Sequence, residues 1–342
     1  MPPLIAIVGP TGIGKTALAI KIAQAFSGQI VSADSRQVYQ LMDIGTAKPS
    51  TDELVAAPHR LIDIVSPDYV LTLAEFQERA YAAIDAIHAQ GDLPLLAGGT
   101  GQWVWSVVEG WGIPRVPPDL TLRAELEAAA KTVGSEAFHA KLAAVDPDAA
   151  AKLDHRNVRR VIRALEVYLK TGIPISAHQK KSPPPYRILM IGLNMPRESL
   201  YLRIDDRIDR MMEAGFLAEV EDLLARGYNL HYPSMSGLGY RQLGRYLHGE
   251  ISLEEAVALT KKETRRFIRQ QYNWFRLDDE RIFWLDVLAS DFADLALAKL
   301  SAFLEEGENV TAQLDKVYEK EPSTLDAELL ALQVVSIGDE KS

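Results

Sequence analysis

Short apolar runs alternate with helix-like stretches over the first hundred residues. The runs cover residues 4–9, 29–35, 60–65 and 93–101. Between them, apolar side chains recur at spacings of three and four residues, first after residue 14 and again over residues 73–89. Strands that alternate with helices in this way are typical of a parallel sheet with helices on both faces. The pattern predicts an α/β fold for this part of the chain.

The pattern changes after Trp111. Residues 112–118 (GIPRVPP) are a proline-rich hinge, and the segments that follow have helical spacing without strand patterns. A second proline-rich hinge, residues 180–186 (KKSPPPY), returns the chain to a strand pattern at 187–195. Further elements are predicted as helices near residues 200–212, 217–226 and 253–275 and a last strand at 281–287.

These changes divide the chain into three parts. We predict a discontinuous α/β core formed by residues 1–112 and 186–304, with residues 113–185 inserted as an all-helical domain. Residues 305–342 are rich in acidic side chains and are predicted to be a mobile tail with at most one short helix. The helical insert therefore separates two pieces of one core.

Composition limits the classes of function. The chain has 342 residues, of which 47% are apolar and 25% charged, as in ordinary globular proteins. It has no cysteine, which excludes disulfides, thiolate metal sites and cysteine nucleophiles and is compatible with a reducing cytoplasm. The N-terminus has no basic region before its apolar run, and no apolar run reaches about 18 residues. We expect a cytoplasmic protein without a membrane partner, and a monomer by default.

Charge is distributed unevenly along the chain. The net charge is −10, which alone argues against a nucleic-acid partner. Residues 155–187 nevertheless carry eight Arg and Lys against one acid, Glu166, whereas residues 304–342 carry ten acids against three lysines. The acidic end therefore masks a segment of local charge +7, most of which lies in the predicted insert. Such a segment suits an anionic partner such as RNA.

The most specific motif is GPTGIGKT, residues 9–16, which matches the P-loop pattern between a predicted strand and a predicted helix. In this pattern the backbone N–H groups from Gly12 to Thr16 bind phosphate oxygens, Lys15 supplies a cation, and the Thr16 hydroxyl binds Mg²⁺. The loop suits a diphosphate as well as a triphosphate. The candidate phosphate-binding residues are Thr11, Gly12, Ile13, Gly14, Lys15, Thr16 and, further along the chain, Arg241.

Two more predicted strands end in polar residues at the same edge of the sheet. Asp34 follows the second strand and is a candidate Mg²⁺ ligand, general base or helix N-cap; the P-loop nearby favours a catalytic role. Thr100 follows two glycines after another strand and presents a hydroxyl. Asp63, in contrast, lies inside the predicted strand at 60–65 and is interpreted as a structural residue or a distant partner.

Arginines in the second half of the chain are candidate ligands for phosphates. Arg241 follows a glycine-containing turn, from which it can bind a phosphate with two hydrogen bonds. In TRRFIRQQYNWFR, residues 264–276, helical spacing places four side chains on one face, namely Arg265, Arg269, Tyr272 and Arg276. Arginines interleaved with aromatic residues suit RNA, although solvated helix faces often have the same composition.

Together these motifs resemble those of the bacterial-type tRNA dimethylallyltransferase (tRNA isopentenyltransferase) family. The matching segments are GPTGIGKT, SADSRQVYQLMDIGTAKPS, HRLIDIVSPD, LLAGGTG, RALEVYLKTGIPIS, GYRQL and TRRFIRQQYNWFR, in the family's order and covering most of residues 4–286. The resemblance implies a P-loop NTPase-like parallel sheet with an inserted helical domain. It also implies transfer of a dimethylallyl group from its diphosphate to the exocyclic N6 of the adenine directly 3′ of the anticodon, in tRNAs reading codons that begin with U.

The resemblance further implies roles for residues of the diphosphate site. Asp34 is expected to accept a proton from the attacking amine, and Thr100 to bind the bridging oxygen of the diphosphate. Lys15, Arg241, Mg²⁺ and the loop amides are expected to stabilise the negative charge that grows on the leaving diphosphate.

The tRNA contacts that the resemblance implies form two groups. The first group lines the pocket for a flipped target base and consists of Ser35, Arg36 and Gln37. The second group holds the anticodon stem and consists of Arg123, Arg159, Arg160, Arg163, Arg265, Arg266, Arg269 and Arg276.

The chain departs from the family's pattern in two segments. The family usually has Asp where Asn157 stands, and Lys-Arg-Gln where this chain has Arg269, Gln270 and Gln271. The absence of an arginine at Gln270 is expected to weaken or shift an RNA contact, without changing the diphosphate site.

Other classes of function remain open from the residues alone. A P-loop phosphotransferase would bind ATP and use Asp34 as a base, and a related prenyltransferase would act on free adenine nucleotides. A nucleotide-gated RNA-binding module would need neither Asp34 nor Thr100. The basic segment at 155–187 favours an RNA substrate over a free nucleotide.

Overall fold

The computed structural model describes residues 1–320, and a six-stranded parallel sheet lies at its centre. The strands are β1 (Pro3–Val8), β2 (Gly28–Ser32), β3 (His59–Arg60), β4 (Leu93–Gly98), β5 (Arg187–Asn194) and β6 (Ile282–Asp286). Their order in the sheet is β3-β2-β4-β1-β5-β6. All neighbouring pairs are parallel, which confirms the predicted α/β class.

Helices connect and flank the strands. Those before β5 are α1 (Lys15–Ala25), α2 (Thr51–Ala56), α3 (Leu73–Ala89), α4 (Gly101–Val108), α5 (Leu120–Val133), α6 (Ser135–Val145), α7 (Pro147–Lys152), α8 (Val158–Thr171) and α9 (Ile175–His178). Those after β5 are α10 (Arg197–Glu213), α11 (Phe216–Ala225), α12 (Tyr240–Leu247), α13 (Leu253–Gln271) and α14 (Phe292–Lys320). Among the helices of residues 1–320, none is both long and apolar enough to span a bilayer.

The central strand β1 is buried on both faces. Every residue from Leu4 to Val8 has no exposed surface. Side chains alternate between the two faces of a strand, so complete burial requires packing on both. Leu4, Ala6 and Val8 share an apolar core with Phe76 and Ile84 of α3. The uninterrupted apolar sequence of β1 thus reflects a strand without a solvent-facing side.

The carboxyl ends of three neighbouring strands lie side by side. Val8 at the end of β1 pairs with Gly98 of β4, and Ser32 at the end of β2 pairs with Ala97 of β4. The loops that follow these strands therefore begin at one edge of the sheet, where parallel α/β folds bind ligands. The P-loop, Asp34 and Thr100 lie in these three loops.

The helices between α4 and β5 have an apolar core of their own, which includes Phe138, Leu142, Val161 and Val167. The two connections to the sheet are hydrogen-bonded to each other. The N–H of Gly112 donates to the carbonyl of Lys180 (2.6 Å), and the N–H of Ser182 donates to the carbonyl of Gly110 (2.8 Å). An all-helical insert is therefore present as the sequence predicted, whereas its exact limits at residues 113 and 185 stay a prediction.

The third strand is shorter than the sequence predicted. The apolar run at 60–65 contributes only Arg60 to β3, because Leu61 and Asp63 have φ angles of 64° and 57°. A strand cannot continue through this left-handed region of backbone space. The carboxylate of Asp63 instead accepts a hydrogen bond from Lys48, whose side chain is 6% exposed. The buried ammonium group of Lys48 thus has an acidic partner, and Asp63 lies outside the sheet.

Helix α13 also ends earlier than predicted. It stops at Gln271, and the N–H groups of Trp274 and Phe275 both donate to the carbonyl of Gln271 at 3.0 Å. The helix predicted over residues 253–275 was therefore too long by four residues, and Arg276 lies beyond the end of α13. The helix face that the sequence predicted for Arg276 stays a prediction.

The described residues from Ser290 onward cluster as a unit separate from residues 2–289. Within this unit α14 runs for 29 residues, from Phe292 to Lys320. The prediction of at most one short helix after residue 304 was therefore wrong for residues 305–320. No proline interrupts residues 292–320, so nothing in this sequence stops the helix. Residues 321–342 of the predicted tail lie outside the described residues.

Candidate active site

Three loops border one cavity at the carboxyl edge of the sheet. The cavity has a volume of about 440 Å³. Six of the residues that the sequence analysis selected line it, namely Thr11, Lys15, Asp34, Ser35, Arg36 and Thr100. Apolar side chains from α10, α11 and α13 complete the wall, among them Ile208, Phe216 and Phe267. The cavity thus joins a charged end to an apolar wall.

Lys15 opens α1 directly after the left-handed Gly14, whose φ is 111°. Its ammonium group donates to the carbonyls of Gly9 (3.0 Å) and Pro10 (2.9 Å), which holds the P-loop curved around it. Burial lowers the pKa of Lys15 to about 8; the carboxylate of Asp34 opposes this change and Arg207 adds to it. Because burial disfavours the charged form of Lys15, an anionic ligand beside the ammonium group would stabilise that form.

Arg207 on α10 is a site residue that the sequence analysis missed. Its guanidinium group lines the cavity and makes no hydrogen bond within residues 1–320. A methyl group on Gly12 would lie 3.9 Å from its Nη1, and one on Gly14 would lie 3.8 Å from Nη2 of Arg203. Burial lowers the pKa of Arg207, with Asp34 opposing. The four-residue spacing of Arg203 and Arg207, which puts both on one helix face, was the available signal.

Asp34 is partly buried and faces the same cavity. Its Oδ1 accepts a hydrogen bond from the backbone N–H of Arg36 (2.8 Å), which fixes the carboxylate relative to its own turn. Its Oδ2 makes no hydrogen bond to any described residue, so it is available for a ligand. Residues 35–38 form a turn and no helix begins here, which removes the helix N-cap alternative.

Thr100 links the loop after β4 to the loop after β2. Its Oγ1 accepts a hydrogen bond from the backbone N–H of Ser35 (3.1 Å) and donates to the Oγ of Ser35 (3.3 Å). Thr100 also precedes α4 as its N-cap residue, but its side chain does not cap that helix. The hydroxyl is therefore oriented toward the residue next to Asp34.

Thr16 and Asp34 are the protein oxygens that fit a Mg²⁺ ion at this edge. The hydroxyl of Thr16 makes no hydrogen bond within the described part of the chain. Residues 1–320 contain no cluster of three or more His, Asp or Glu side chains that could hold a metal without other ligands. Mg²⁺ commonly binds one or two protein oxygens and takes its remaining ligands from phosphates and water. The donor set thus fits Mg²⁺ only together with a phosphate ligand.

Arg241 is not among the residues that line the cavity. It lies in the first turn of α12, and its guanidinium group donates to the carboxylate of Glu263 at 2.6 Å. Its neighbour Tyr240 does line the cavity. The sequence gave no indication of this acidic partner on α13, and the phosphate-binding role predicted for Arg241 stays a prediction.

The side chains of Arg36 and Gln37 have partners within the protein. The guanidinium group of Arg36 donates to the carbonyls of Pro233 (2.7 Å) and Ser234 (3.3 Å). The amide of Gln37 donates to the carbonyl of Ala47 (3.1 Å). These bonds join the loop after β2 to two other segments, which gives both residues a structural part in shaping the cavity.

Glu219 on α11 is a second residue that the sequence analysis missed. Its carboxylate accepts hydrogen bonds from three consecutive backbone N–H groups, those of Asp43 (2.8 Å), Ile44 (2.7 Å) and Gly45 (3.1 Å). It also accepts one from the hydroxyl of Tyr240 (2.6 Å). Burial and the neighbouring Glu219 raise the pKa of Tyr240, so the phenol stays protonated. Glu219 therefore fixes one wall of the cavity, where Gly45 and Tyr240 lie.

The arginines of the helical insert fall into two groups. Arg159 and Arg160 on α8 are exposed and make no ion pair among the described residues. Arg123 and Arg163 bind the carboxylate of the fully buried Glu166, at 2.8 Å and 2.6 Å. Burial opposes ionisation of Glu166, but the hydrogen bonds from these arginines lower its pKa. The sequence predicted an RNA contact for all four, and the structure gives two of them a partner within the insert.

The arginines at the end of α13 differ in the same way. Arg266 is exposed, and Arg269 donates to the hydroxyl of Tyr201 at 3.2 Å. Arg265 is paired with Asp205 of α10, and Arg276 with Asp278 at 2.8 Å. Exposed aromatic side chains, Phe267 and Trp274, line the cavity beside these arginines.

A family model described as IPP transferase matches residues 37–278, which is more than half of the chain. The chain belongs to the IPP transferase family. The chain is 56% identical over 276 residues to a tRNA dimethylallyltransferase of Roseiflexus castenholzii, covering 81% of this chain and 90% of that one. It is 50% identical over 285 residues to a tRNA dimethylallyltransferase of Dehalococcoides mccartyi, covering 83% and 88%.

Solved structures with the same fold have related descriptions. The full-length tRNA isopentenylpyrophosphate transferase of Bacillus halodurans is 38% identical, with a TM-score of 0.69 over 91% of this chain and 100% of that chain. A eukaryotic dimethylallyltransferase acting on tRNA is 27% identical, with a TM-score of 0.78 over 90% and 80%. These likenesses confirm the family that the motifs resembled.

Proposed function

We propose that this protein transfers a dimethylallyl group from dimethylallyl diphosphate to the exocyclic N6 of the adenine directly 3′ of the anticodon, in tRNAs reading codons that begin with U. The observation that carries the proposal is the meeting of Lys15, Asp34 and Thr100 around one cavity of about 440 Å³. The relatives named tRNA dimethylallyltransferase support the choice of both substrates.

The reaction requires a site that stabilises negative charge on the leaving diphosphate and accepts a proton from the attacking amine. A bond forms between the adenine N6 and C1 of the dimethylallyl group while the bond from C1 to the bridging phosphate oxygen breaks. The diphosphate leaves with the electron pair of the broken bond, and the amine loses a proton. Negative charge therefore grows at the phosphate end, and a base is needed at the amine end.

The P-loop end of the cavity is assigned to the diphosphate. The backbone N–H groups from Gly12 to Thr16 lie at the start of α1, where the helix dipole favours an anion. The ammonium of Lys15 and the guanidinium of Arg207 add positive charge that is partly removed from water. Such preorganised charge stabilises a leaving group most when its negative charge has fully developed.

Two further groups complete the diphosphate site in this proposal. The hydroxyl of Thr100, which now donates to Ser35, turns to donate to the bridging oxygen. Arg241 exchanges Glu263 for the diphosphate when the donor binds. Mg²⁺, held by Thr16 and phosphate oxygens, would neutralise part of the diphosphate charge.

Asp34 is assigned as the general base. Its Oδ1 is occupied by the N–H of Arg36, so Oδ2 is the atom that takes the proton from the adenine amine. A base positioned in this way contributes about 10²–10⁴-fold to the rate. The apolar side chains of Ile208, Phe216 and Phe267 provide the wall for the dimethylallyl group and keep water away from C1.

The target adenine must leave its stack to reach this cavity, so base flipping is part of the proposal. Ser35 and Arg36 line the opening, and Gln37 supports them through the carbonyl of Ala47. Arg159 and Arg160 on α8 and Arg266 and Arg269 on α13 contact phosphates of the anticodon stem. A smaller contribution comes from arginines already paired with carboxylates, which are Arg123, Arg163, Arg265 and Arg276.

The test is incorporation of labelled dimethylallyl diphosphate into an unmodified anticodon stem-loop in the presence of Mg²⁺. A second stem-loop, with the target adenine replaced by guanine, is the control. Label in the adenine substrate alone supports the donor, the acceptor and the site together. No label in either substrate, with ATP bound at the P-loop, would favour a phosphotransferase instead.

A further inference from the structure

One buried glutamine joins two of the loops that border the cavity. Gln271, the last residue of α13, is 3% exposed. Its Nε2 donates to the carbonyl of Gly99 (2.8 Å), and its Oε1 accepts from the backbone N–H of Thr11 (2.9 Å). A single side-chain amide thus binds the P-loop with its acceptor and the loop after β4 with its donor.

The backbone at Gly99 is shaped to admit this amide. A Cβ atom on Gly99 would lie 2.5 Å from Nε2 of Gln271 and 3.3 Å from Nζ of Lys15. The first of these distances is too short for any side chain to fit, so only glycine allows the glutamine to approach. Gln271 and Lys15 therefore converge on the residue directly before Thr100.

The end of α13 that carries Gln271 is itself fixed to α4. The indole Nε1 of Trp105 donates to the carbonyl of Trp274 at 2.9 Å. The ring of Trp274 packs on Gly101, where a Cβ atom would lie 2.2 Å from its Cγ. Gln271 consequently has little freedom to follow the P-loop if that loop moves.

The hydrogen bond to Thr11 also limits which P-loop amides can bind phosphate. The N–H of Thr11 already has a partner, and the N–H of Ile13 donates to the carbonyl of Pro10 (3.4 Å), so the other amides from Gly12 to Thr16 form the cradle for the diphosphate. The bond to Gly99 sets the position of the next residue, Thr100, relative to that cradle. One amide therefore places two groups that are assigned to the same leaving diphosphate, namely the P-loop and the hydroxyl of Thr100.

We propose that Gln271 is a positioning residue for the transfer, which holds the P-loop and the loop at Gly99 at the separation that lets Lys15 and Thr100 contact one diphosphate. The inference rests on the proposed function and adds to it a cavity-lining residue whose amide is already hydrogen-bonded to both loops. Helix α13 then has two roles. Its exposed arginines are assigned to RNA, and its buried last residue, Gln271, binds the P-loop and the loop after β4.

The test compares two substitutions of Gln271 at saturating anticodon stem-loop. Gln271→Met keeps the length of the side chain and removes both hydrogen bonds. We expect kcat to fall by about 10²-fold, as for a misplacement of about 1 Å in a reacting pair. The affinity for the stem-loop should stay within about twofold of wild type, because the buried amide does not contact RNA.

Gln271→Glu provides the rescue experiment. When its carboxyl is protonated, it can donate to Gly99 and accept from Thr11, as the amide does; when ionised, it opposes the Gly99 carbonyl. Burial raises the pKa of such a carboxyl, whereas the ammonium of Lys15, which lies close to the same point, lowers it. Activity relative to wild type should therefore fall about tenfold per pH unit above that pKa, down to the level of Gln271→Met. Groups shared by both proteins cancel in this ratio.

The matched control is Gln29→Met at the opposite end of β2. Gln29 is 5% exposed, and its amide donates to Gln90 (2.7 Å) and Asp92 (2.6 Å). Loss of these bonds should lower the melting temperature but leave kcat per folded molecule unchanged. Equal losses of kcat in the two methionine variants would overturn the proposal, as would a pH-independent ratio for Gln271→Glu.

Hydrogen exchange separates this inference from the proposed function. The peptide that contains the Thr11 amide should exchange faster in Gln271→Met than in wild type, whether or not the protein transfers a prenyl group. Unchanged exchange would contradict the role of Gln271. Faster exchange together with an inactive wild type would support the hydrogen bonds and overturn the proposed reaction.

Discussion

The positive charge around the donor cavity is held differently from the positive charge on the helical insert. The cavity has two partly buried cations close to Asp34, Lys15 and Arg207, and burial lowers the pKa of both. Arg159 and Arg160 are exposed on α8 and make no ion pair among the described residues. The first arrangement suits one small anion in a fixed place; the second suits a long polyanion whose contacts water and salt can replace.

Because the two sets of charges differ in burial, we expect one to act on the transfer reaction and the other on RNA affinity. Charge removed from water acts strongly on a reacting group and is weakly screened, whereas exposed charge acts over the surface and is screened by salt. Substitutions in the cavity should therefore change turnover and leave RNA affinity intact. Substitutions on α8 should do the opposite.

The largest expected effect is at Asp34. Asp34→Asn removes the proton acceptor but keeps the shape of the side chain, so kcat should fall by about 10²–10⁴-fold. Stem-loop affinity, measured by filter binding, should not change. The control Asp52→Asn, on the exposed face of α2, should retain wild-type turnover. A similar loss in both variants would show that the effect is not local.

The second effect concerns pH. The pKa of Lys15 in the free protein is lowered to about 8, so its ammonium is charged below that pH and neutral above it. A diphosphate binds the charged form. The kcat/KM for the donor should therefore fall about tenfold per unit as the pH rises above this value. For Lys15→Met, kcat/KM for the donor should be about 10²–10³-fold lower and should not fall further as the pH rises. A fall at high pH that persists in this variant would mean that another group titrates.

The third effect is the salt dependence of RNA binding. Replacing Arg159 and Arg160 together by Ala should flatten the plot of log affinity against log salt by about 1–2 units, since each lost phosphate contact removes somewhat less than one. Turnover at saturating stem-loop should remain that of wild type. An unchanged slope would remove α8 from the RNA surface.

The smallest effect on RNA affinity is expected for arginines that already have a partner. Arg123→Ala leaves the buried Glu166 with fewer hydrogen bonds, and the insert should lose about 1–3 kcal/mol of stability. Stem-loop affinity, corrected for the folded fraction, should fall less than for Arg159→Ala. A larger fall would mean that Arg123 exchanges Glu166 for a phosphate when RNA binds.

Much of the candidate site could be predicted from the sequence because its key residues follow strands. Apolar runs gave the positions of β1, β2 and β4, and parallel strands bring their carboxyl ends to one edge. Thus Lys15, Asp34 and Thr100 were recognised, and all three line the cavity. The third strand was predicted too long, because an apolar run does not reveal the left-handed backbone at Leu61 and Asp63.

The residues that were missed act across long stretches of chain. Gln271 binds Thr11 from 260 residues away, and Glu219 binds the amide of Asp43 from 176 residues away. Their local sequences have no signal for these partners, since a glutamine or glutamate near a helix end is ordinarily solvated. The ion pair between Arg241 and Glu263 could not be predicted from the sequence for the same reason.

The sequence by itself determined the succession of strands and helices along the chain, the P-loop and the helical insert. These features depend on periodicity and turn residues within short windows of sequence. Only the tertiary structure decided which buried polar groups meet around the cavity. A buried donor or acceptor must find a partner or lose free energy, and the partner available depends on how distant segments pack. The site is therefore anchored by local motifs, and its geometry is set by long-range hydrogen bonds.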